Sequence, residues 1–502
     1  MRWRPRVAWA LVAAGSLLGL VCYGSVQTPA AVQAASPATP AATHEVVYPL
    51  KVGPTRRYLV DQRGRPFLIA GDSPQSMMVD LSLRQADHFL GNRRRAGFNT
   101  VWVNLLCLEY TGGRADGSTY DGLRPFTTPG DLSTPNEAYF ARADAMLRLA
   151  AKHGIVVFLD PIETGGWLET LRRNGTAKAY AYGRYLGRRY RSFPNIVWFN
   201  GNDFQSWRDP SDDDLVLSVA RGIKSVDLRH LHTVELNFDV SSSLDDDRWR
   251  GLIGLDAAYT YAPTYAEVLK EYSRPDHLPV FMVEANYEGE HDYTGPQTLR
   301  RQAYWTLLSG AAGQLYGNKY TWPFAQGWQW YLDTIGSRQF TYVTNLFIQR
   351  RWFELVPDTR HRIVVSGYAT AVTDGSVNAS TYVTAAGTPD GKLVIAYLPT
   401  NRPVVVDMSV LSGPVQAHWY DPAEGADVPI AGAPFANAGT RSFAPPGSNG
   451  DGGTDWVLVL TASMEDPVRS ATGGCEELAL DCCANLLLEP RRPNCAANLG
   501  LS

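Results

Sequence analysis

One pattern repeats along the chain between about residues 58 and 322: a short, continuously apolar segment followed by a longer amphipathic one. The apolar segments do not alternate with polar residues, which predicts strands buried on both faces, as in a parallel sheet covered by helices. There are eight of them, at residues 67–71, 100–105, 155–159, 196–199, 232–236, 257–261, 280–283 and 313–316.

The segments between these strands have helical spacing. Those at 83–96 and 136–153 each stop at a glycine, as helix C-termini often do. Further helices are predicted at residues 176–191, 212–226, 296–308 and 334–356, whereas the fifth unit has only a short, irregular segment. Eight strand–helix units of this length predict a (β/α)8 TIM barrel of the α/β class. A doubly wound open sheet is the alternative, but no glycine-rich phosphate loop follows the first strand.

The pattern changes near residue 357. Short strand-like runs follow without intervening helices, punctuated by Gly, Pro, Asp and Asn, and this predicts a small all-β sandwich. Its strands are expected at residues 362–365, 380–384, 393–398, 404–408 and 457–460. We therefore divide the chain into a signal peptide at 1–34, a linker at 35–46, a barrel at 47–356, a sandwich at 357–462 and a tail without persistent pattern at 463–502.

The N-terminus has the features of an export signal. Arg2, Arg4 and Arg6 precede an apolar run at residues 7–23, and small residues at 32–35 suit cleavage. This pattern predicts a secreted, extracellular protein with no stable membrane span after cleavage. An uncleaved membrane anchor is the alternative, because the apolar run is nearly long enough to remain in a bilayer.

Net charge, the absence of certain motifs and the cysteine spacing argue against several classes of function. A net charge of −4 and a pI near 6.2 do not support nucleic-acid binding. The sequence contains no Gly-x-Ser-x-Gly elbow and no His-Glu-x-x-His metal motif. The tail cysteines could form two disulfides in any of three pairings, or a thiolate metal site, but their spacing matches no zinc pattern. We expect neither a metal nor a cofactor. These cysteines are Cys475, Cys482, Cys483 and Cys495.

Acidic residues follow several predicted strands, at the barrel end where TIM-barrel active sites form. Asn202-Asp203 follows the fourth strand and Glu284 ends the seventh, so the two acids are expected on facing sides of the mouth. Glycoside hydrolysis needs such a pair, one carboxyl protonated and the other ionised. The structural alternatives are a helix N-cap for Asp203 and an ion pair with an arginine for Glu284.

Other side chains near the strand ends are candidates for substrate binding. Aromatic rings can stack on sugar faces and polar groups can bind sugar hydroxyls, although any single ring is more often part of a packed core. The candidates are Asp72, Trp102, Asn104, Glu163, Trp167, Asn202, Trp207, Asn237, Tyr287 and Trp322.

Three segments resemble the apiosidase-like glycoside hydrolases: Asn-Thr-Val-Trp-Val-Asn-Leu-Leu-Cys at 99–107, residues 154–167, and Asn202-Asp203. His-Trp-Tyr-Asp-Pro at 418–422 through Asp-Trp-Val-Leu-Val-Leu at 455–460 resembles the β-sandwich that accompanies them, which is named as collagen-binding. The resemblance spans about residues 47–462.

The resemblance implies a barrel of the large retaining-glycosidase clan, with Asp203 as acid/base and Glu284 as nucleophile. The clan's usual acid/base is a glutamate after an asparagine, whereas an aspartate follows Asn202 here, as in the apiosidase-like branch. The separation of the two carboxyls decides between retention, at about 5–5.5 Å, and inversion, at about 6.5–9.5 Å.

Two functions are therefore considered. The first is a secreted glycoside hydrolase that cleaves O-glycosidic bonds of a plant or microbial polysaccharide, with the retaining two-carboxylate mechanism that the resemblance implies. The second is a non-catalytic carbohydrate- or matrix-binding protein on a barrel scaffold. They differ in whether Asp203 and Glu284 meet in an aromatic-lined pocket.

Overall fold

A computed structural model describes residues 46–238, 240–373 and 375–462. The predicted signal peptide, nearly all of the predicted linker and the cysteine-containing tail lie outside the described residues. Within the described ranges, every helix is too short or too polar to cross a membrane.

The first described elements are three short antiparallel strands. They are β1 (Lys51–Val52), β2 (Leu59–Val60) and β3 (Pro66–Phe67), paired in the order β1-β2-β3. They contribute Leu59 and Phe67 to the apolar cluster inside the barrel, together with rings such as Trp102 and Phe158. This small sheet therefore packs against the barrel interior.

Eight parallel strands form the barrel, which confirms the predicted fold class, and a ninth short strand joins its edge. These strands are β4 (Ile69–Asp72), β5 (Thr100–Asn104), β6 (Val156–Asp160), β7 (Ile196–Asn200), β8 (His232–Val234), β9 (Val240–Ser242), β10 (Asp256–Thr260), β11 (Val280–Glu284) and β12 (Gly313–Tyr316). Their hydrogen-bonded order is β8-β7-β6-β5-β4-β12-β11-β10, and the short β9 pairs antiparallel with β10.

The barrel closes between β8 and β10 through fewer main-chain bonds than elsewhere. The Gly254 N–H donates to the His232 carbonyl at 2.9 Å. The Ser243 hydroxyl donates to the Val234 carbonyl at 2.5 Å and accepts the Ala257 N–H at 2.9 Å. A serine side chain thus joins the fifth and sixth barrel strands.

Helices cover the outside of the barrel. The fifth unit has only two short 3-10 turns, at Ser243–Asp245 and Asp247–Trp249, where the sequence pattern is irregular. The helices are α1 (Met77–Asp80), α2 (Leu83–Arg95), α3 (Glu137–Lys152), α4 (Thr164–Tyr190), α5 (Pro210–Lys224), α6 (Thr264–Tyr272), α7 (Pro296–Leu308) and α8 (Ile335–Ile348).

Two helices differ from the sequence expectation. α4 begins at Thr164, well before the predicted 176, and the non-helical Gly175 marks the kink that separates its two parts. The helix predicted at 334–356 was too long, since α8 ends at Ile348. A 3-10 turn at Trp352–Glu354 follows, and then a strand that contains Pro357, whose missing N–H does not suit a helix interior.

The C-terminal region is a β-sandwich of two antiparallel sheets. Its strands are β13 (Val356–Pro357), β14 (Val364–Ser366), β15 (Thr384–Gly387), β16 (Leu393–Leu398), β17 (Val404–Asp407), β18 (Val415–Asp421), β19 (Ala426–Pro429), β20 (Thr440–Phe443) and β21 (Trp456–Ala462). One sheet has the order β13-β15-β16-β21-β18-β19 and the other β14-β17-β20.

The central strands of the larger sandwich sheet are buried on both faces. In β16, Ile395 and Tyr397 belong to the apolar cluster shared with α7 and α8, whereas Val394 and Ala396 belong to the cluster between the two sheets. Alternate residues of a strand point to opposite faces, so the uninterrupted apolar run of β16 serves both clusters.

A buried arginine joins the barrel to the sandwich. Arg300 on α7 is fully buried and donates to Asp455 at 2.7 and 2.8 Å. It also donates to Asp451 at 2.6 Å and to Gln339 of α8 at 2.7 Å. Asp455 is itself fully buried and precedes β21, so this network fixes the end of a central sandwich strand on the barrel.

We expect Arg300→Ala to lower the free energy of unfolding by about 3–5 kcal/mol, because it leaves the buried Asp455 carboxylate with neutral donors only and without its cationic partner. Urea unfolding followed by circular dichroism measures this. The control is Arg351→Ala, which removes ion pairs to Glu354 and Asp390 at the surface. Its effect should be much smaller, and equal losses for the two variants would contradict the expectation.

Candidate active site

The two candidate acids lie at the carboxyl ends of barrel strands. Glu284 is the last residue of β11, and Asp203 comes three residues after the end of β7. Glu284 is buried, with 7 % of its surface exposed, and Asp203 is half-buried. Both are therefore largely removed from water at the end of the barrel where TIM-barrel active sites form.

Asp203 is carried by a turn with unusual backbone geometry. Gly201, Asn202 and Asp203 have φ values of 104°, 60° and 53° in succession. Left-handed conformations are disfavoured for residues other than glycine, and they concentrate at functional sites. Glycine is required at 201, because a Cβ there would lie 2.1 Å from the main-chain oxygen of Glu235. The chain thus bends sharply where it presents Asp203.

Three tyrosine hydroxyls surround the Glu284 carboxylate. Tyr259 donates to Oε1 at 2.6 Å, Tyr261 donates to the same oxygen, and Tyr287 donates to Oε2 at 3.0 Å. The amide of Gln75 in turn donates to the Tyr287 hydroxyl at 3.2 Å. Hydrogen bonds from three donors stabilise the ionised form of a carboxyl group.

Asp203 has a different environment. The Tyr110 hydroxyl donates to its Oδ2 at 2.6 Å, while Oδ1 has no hydrogen-bond partner among the described residues. The Asp203 main-chain N–H donates to Oε2 of Glu235 at 3.0 Å. The Tyr259 hydroxyl, which binds Glu284, also faces Asp203 and lowers its pKa. One hydroxyl is therefore close to both acids.

The electrostatics of the two acids are linked. Burial raises the pKa of Asp203 and the pKa of Glu284 above their usual values, and the negative charge of Asp203 raises the pKa of Glu284 further. The hydrogen bonds from Tyr259, Tyr261 and Tyr287 act in the opposite direction on the pKa of Glu284. Such a pair shares its protons as a unit and resists the ionisation of both members at once.

The structural alternatives for these two acids were wrong. The N-cap of α5 is Asp209, whose side chain accepts the Ser211 N–H at 2.9 Å, so Asp203 does not cap that helix. Among the described residues, Glu284 forms no ion pair with an arginine, and its partners are the three tyrosines. Neither carboxyl at the barrel mouth is therefore committed to a cap of α5 or to an ion pair with an arginine.

Three candidate substrate-binding residues form one buried chain leading to Asp203. The Trp102 indole donates to Asn104 at 2.9 Å, and the Asn104 amide donates to Asn202 at 3.0 Å. All three are buried, and Trp102 also packs against Phe199 inside the barrel. These contacts orient Asn202. A fourth candidate, Tyr287, joins the same region as a donor to Glu284.

Trp207 and Asn237 form a second pair nearer the surface. The Trp207 indole donates to Asn237 at 2.6 Å, and both side chains are half-buried. They follow the fourth and fifth barrel strands, so the pair bridges neighbouring loops at the mouth. Trp322, in the loop after the eighth strand, is half-buried as well.

The remaining candidates have structural partners. Asp72 forms a buried ion pair with Arg93 at 2.6 Å, which ties the first barrel strand to α2. Glu163 is the N-cap of α4 and accepts the Gly166 N–H at 2.6 Å. Trp167 is buried against Phe126. The structure therefore places Asp72 and Trp167 in local packing, whereas Glu163, although it caps a helix, lies close enough for the charge of Asp203 to raise its pKa.

Four residues of the site were missed by the sequence analysis: Tyr110, Glu235, Tyr259 and Tyr261. Glu235 lies inside the segment predicted as the fifth strand, but β8 ends at Val234, so the acid comes at the strand end. Tyr259 and Tyr261 are two residues apart at the end of β10, a spacing that places them on the same face. That spacing could have identified both tyrosines.

Among the described residues, neither metal-dependent catalysis nor a cysteine nucleophile has much support. Among them, no three His, Cys, Asp or Glu side chains are arranged to hold a metal ion. Cys107 is fully buried, which raises the pKa of its thiol well above the usual value and disfavours a thiolate nucleophile. The pair of Asp203, which is half-buried, and Glu284, which is buried, is thus the site that suits acid–base and nucleophilic chemistry.

Comparison with known proteins agrees with this geometry. The family model described as "Apiosidase-like, catalytic domain" matches residues 54–354. A second family model, named as a collagen-binding domain of a collagenase, matches residues 369–461. No curated protein matches the chain.

Two solved structures share the fold of most of the chain. A glycoside hydrolase family 5 protein from Bacteroides vulgatus ATCC 8482 is 23% identical with a TM-score of 0.72, covering 84% of this chain and 95% of that chain. A second structure, described as a glycoside hydrolase, is 24% identical with a TM-score of 0.70, covering 84% of this chain and 98% of that chain. These similarities support the fold.

We expect Gly201→Ala to lower the free energy of unfolding by about 2–5 kcal/mol, because the new Cβ would overlap the Glu235 carbonyl and the backbone is left-handed. Chemical denaturation measures the change. Gly251→Ala is the matched control, since Gly251 is also left-handed, with a φ of 79°, but a Cβ there would meet nothing within 4 Å. A loss at 251 as large as that at 201 would show that the close contact is unimportant.

Proposed function

Because the chain belongs to the apiosidase-like catalytic-domain family, we propose that it is a secreted glycoside hydrolase with Asp203 as acid/base and Glu284 as nucleophile. The observation that carries this proposal is the pair of carboxyls, one buried and one half-buried, around one tyrosine hydroxyl, that of Tyr259. Secretion is supported by the N-terminal sequence pattern.

The hydrogen bonds around the two acids support different roles for them. Glu284 accepts three phenolic hydroxyls, which favour its ionised form and suit it to attack. Asp203 accepts a hydrogen bond from the Tyr110 hydroxyl and is also faced by the Tyr259 hydroxyl, and its Oδ1 has no partner within hydrogen-bond distance among the described residues. The mechanism that we propose needs the single proton of the pair on Asp203, where it can be transferred to a leaving group, although burial and the charge of Asp203 also raise the pKa of Glu284.

The shared hydroxyl supports a retaining mechanism. A hydroxyl that is close to both carboxyls places their nearest oxygens at most about two hydrogen-bond lengths apart, no more than roughly 6 Å. Retaining enzymes have their carboxyls about 5–5.5 Å apart, whereas inverting enzymes need about 6.5–9.5 Å to admit a water molecule between acid and base. The position of Tyr259 thus favours direct attack by Glu284.

The reaction then proceeds in two displacements. The Glu284 carboxylate attacks the anomeric carbon while Asp203 gives its proton to the glycosidic oxygen, and the leaving alcohol departs. In the second step Asp203, now ionised, removes a proton from water, and the resulting oxygen nucleophile displaces Glu284 from the anomeric carbon. Hydrolysis is complete, the anomeric configuration is retained, and both carboxyls return to their starting protonation states.

We propose a plant or microbial polysaccharide as the substrate. Tyr110, which binds Asp203, has 43% of its surface exposed and can contact a sugar beside the acid. Trp207 and Trp322 are half-buried in loops after the fourth and eighth strands, and rings in this position suit the flat faces of sugars. The family name makes apiose-containing glycans the first substrates to test.

We expect Asp203→Asn and Glu284→Gln each to lower kcat/KM by about 10³-fold or more on a glycan that the unmodified protein cleaves. Asp209→Asn is the matched control, because an asparagine can still cap α5. NMR of the first-formed sugar should show retention of anomeric configuration. Full activity in either site variant would refute the assignment, and inversion would refute the nucleophilic role of Glu284.

The pH profile provides a second test. Activity should fall at low pH as Glu284 gains a proton and at high pH as Asp203 loses one, giving a bell-shaped kcat/KM. Tyr261→Phe removes a donor to the Glu284 carboxylate, so the pKa of Glu284 should rise and the acidic limb should move to higher pH, by roughly one unit.

Tyr185→Phe is the control for this profile, since the Tyr185 hydroxyl donates to Glu137 on the outer helices, at 2.9 Å. It should leave both limbs in place. An acidic limb that stays fixed in Tyr261→Phe, or moves to lower pH, would contradict the role of Tyr261 in stabilising ionised Glu284.

A further inference from the structure

We infer that Glu235 is a positioning residue for Asp203: its buried side chain holds the left-handed turn that presents the acid. This inference rests on the proposed function and deepens it. Glu235 directly follows β8, the fifth barrel strand, whereas the turn follows β7, the fourth.

Glu235 contacts the turn along its whole length. Its main-chain N–H donates to the Asn200 carbonyl at 2.8 Å, where the turn begins. Its own carbonyl oxygen occupies the space that a side chain at Gly201 would need. Its carboxyl oxygen Oε2 accepts the Asp203 N–H at 3.0 Å, where the turn ends. One residue therefore supports both ends of the strained segment.

The side chain of Glu235 is a costly choice for a purely structural support. It is fully buried, and its second oxygen, Oε1, has no hydrogen-bond partner among the described residues. A buried carboxyl with an unsatisfied oxygen destabilises the folded state unless another requirement maintains it. Holding the Asp203 main chain, within reach of the Asn202 amide, is such a requirement.

Negative and neutral groups face Glu235, and this determines its protonation. Burial raises its pKa well above the usual value, and the charges of Glu284 and Asp203 raise it further. The Asp203 N–H and the Asn202 amide lower the pKa by a smaller amount. The other titratable groups that sense Glu235 are the phenols Tyr110, Tyr259 and Tyr287.

A neutral Glu235 fits both neighbours. The carbonyl oxygen of a protonated carboxyl still accepts a hydrogen bond, so it can hold the Asp203 N–H without adding a third negative charge. An ionised Glu235 would oppose the ionisation of Glu284, which the first displacement needs. Glu235 therefore acts through Asp203 and takes no proton from the substrate.

This role distinguishes two substitutions at the same position. Glu235→Gln preserves size, neutrality and the acceptor oxygen, so we expect kcat/KM within about 3-fold of the unmodified protein and both pH limbs unchanged. Glu235→Ala removes the acceptor and opens space for water beside Asp203. We expect kcat to fall about 10²-fold with KM changed less than about 3-fold, corresponding to about 2.7 kcal/mol in the barrier.

The pH profile separates positioning from general stability. Water beside Asp203 lowers its pKa, so the alkaline limb of Glu235→Ala should move to lower pH. Glu271→Ala is the control: Glu271 is a buried acid on α6 that pairs with Arg274, and its loss should reduce stability without moving either limb. Circular dichroism and unfolding curves establish that each variant is folded.

The test is the kcat/KM profile of the full chain with the Glu235→Gln and Glu235→Ala substitutions, using the glycan cleaved by the unmodified protein. Wild-type activity in Glu235→Ala would overturn the inference. A loss in Glu235→Gln as large as that expected for Asp203→Asn would also overturn it, because the carboxylate itself would then be needed.

If Glu235→Ala does not fold, the profile of Glu235→Gln still decides: unchanged limbs support a neutral positioning role, and a shifted acidic limb overturns it. These outcomes are separable from failure of the proposed function. Activity that survives Asp203→Asn and Glu284→Gln would refute the catalytic pair, whatever the Glu235 variants do.

Discussion

The removal of several carboxyl groups from water, without cations beside them, is the constraint on which the site depends. Asp203, Glu235 and Glu284 lie close enough for their charges to interact, and among the described residues none of them pairs with a lysine or an arginine. Tyrosine hydroxyls and main-chain N–H groups provide the stabilisation instead. Because neutral donors favour an ionised carboxyl without adding charge, the cluster can change its protonation while its surroundings stay fixed.

The backbone around the site follows from the same constraint. Three left-handed residues in succession, ending at Asp203, are unfavourable in isolation and persist because neighbouring strands define their positions. Glycine at 201 admits the carbonyl of Glu235 from the end of the next strand, and the Glu235 carboxyl accepts the N–H that the turn would otherwise bury unpaired. The parallel pairing of β7 with β8 thus determines where the acid lies.

Much of the barrel could be predicted from sequence because burial on both faces produces continuous apolar segments, and all eight predicted segments overlap observed strands. The boundaries were less predictable. Glu235 was placed within a strand because the run Val-Glu-Leu continues the apolar pattern, although β8 ends one residue earlier. The end of α8 was missed because apolar residues continue beyond it, into packing that only the sandwich creates.

The candidate site was predictable in part. Asp203 and Glu284 stand at the ends of strands on facing sides of the barrel, so topology gave them a place, while the neighbouring Asn202 and the family resemblance gave them roles. The tyrosines around Glu284 come from β10 and from the loop after β11, and only folding assembles them. Asp72 and Glu163 also stand at strand ends, but one pairs with an arginine of α2 and the other caps the first turn of α4. Position at a strand end does not by itself distinguish a cap from a catalytic acid.

The burial of the central strands of the larger sandwich sheet on both faces has an evolutionary consequence. A binding module that is exchanged between enzymes usually has a polar exterior and a flexible tether, so that it can be gained or lost without harm to its host. Here β16 and β21 present apolar side chains to α7 and α8, and Arg300 spans the junction. Loss of the sandwich would uncover part of the barrel's own core. The two parts are therefore expected to be inherited together, as one packed unit.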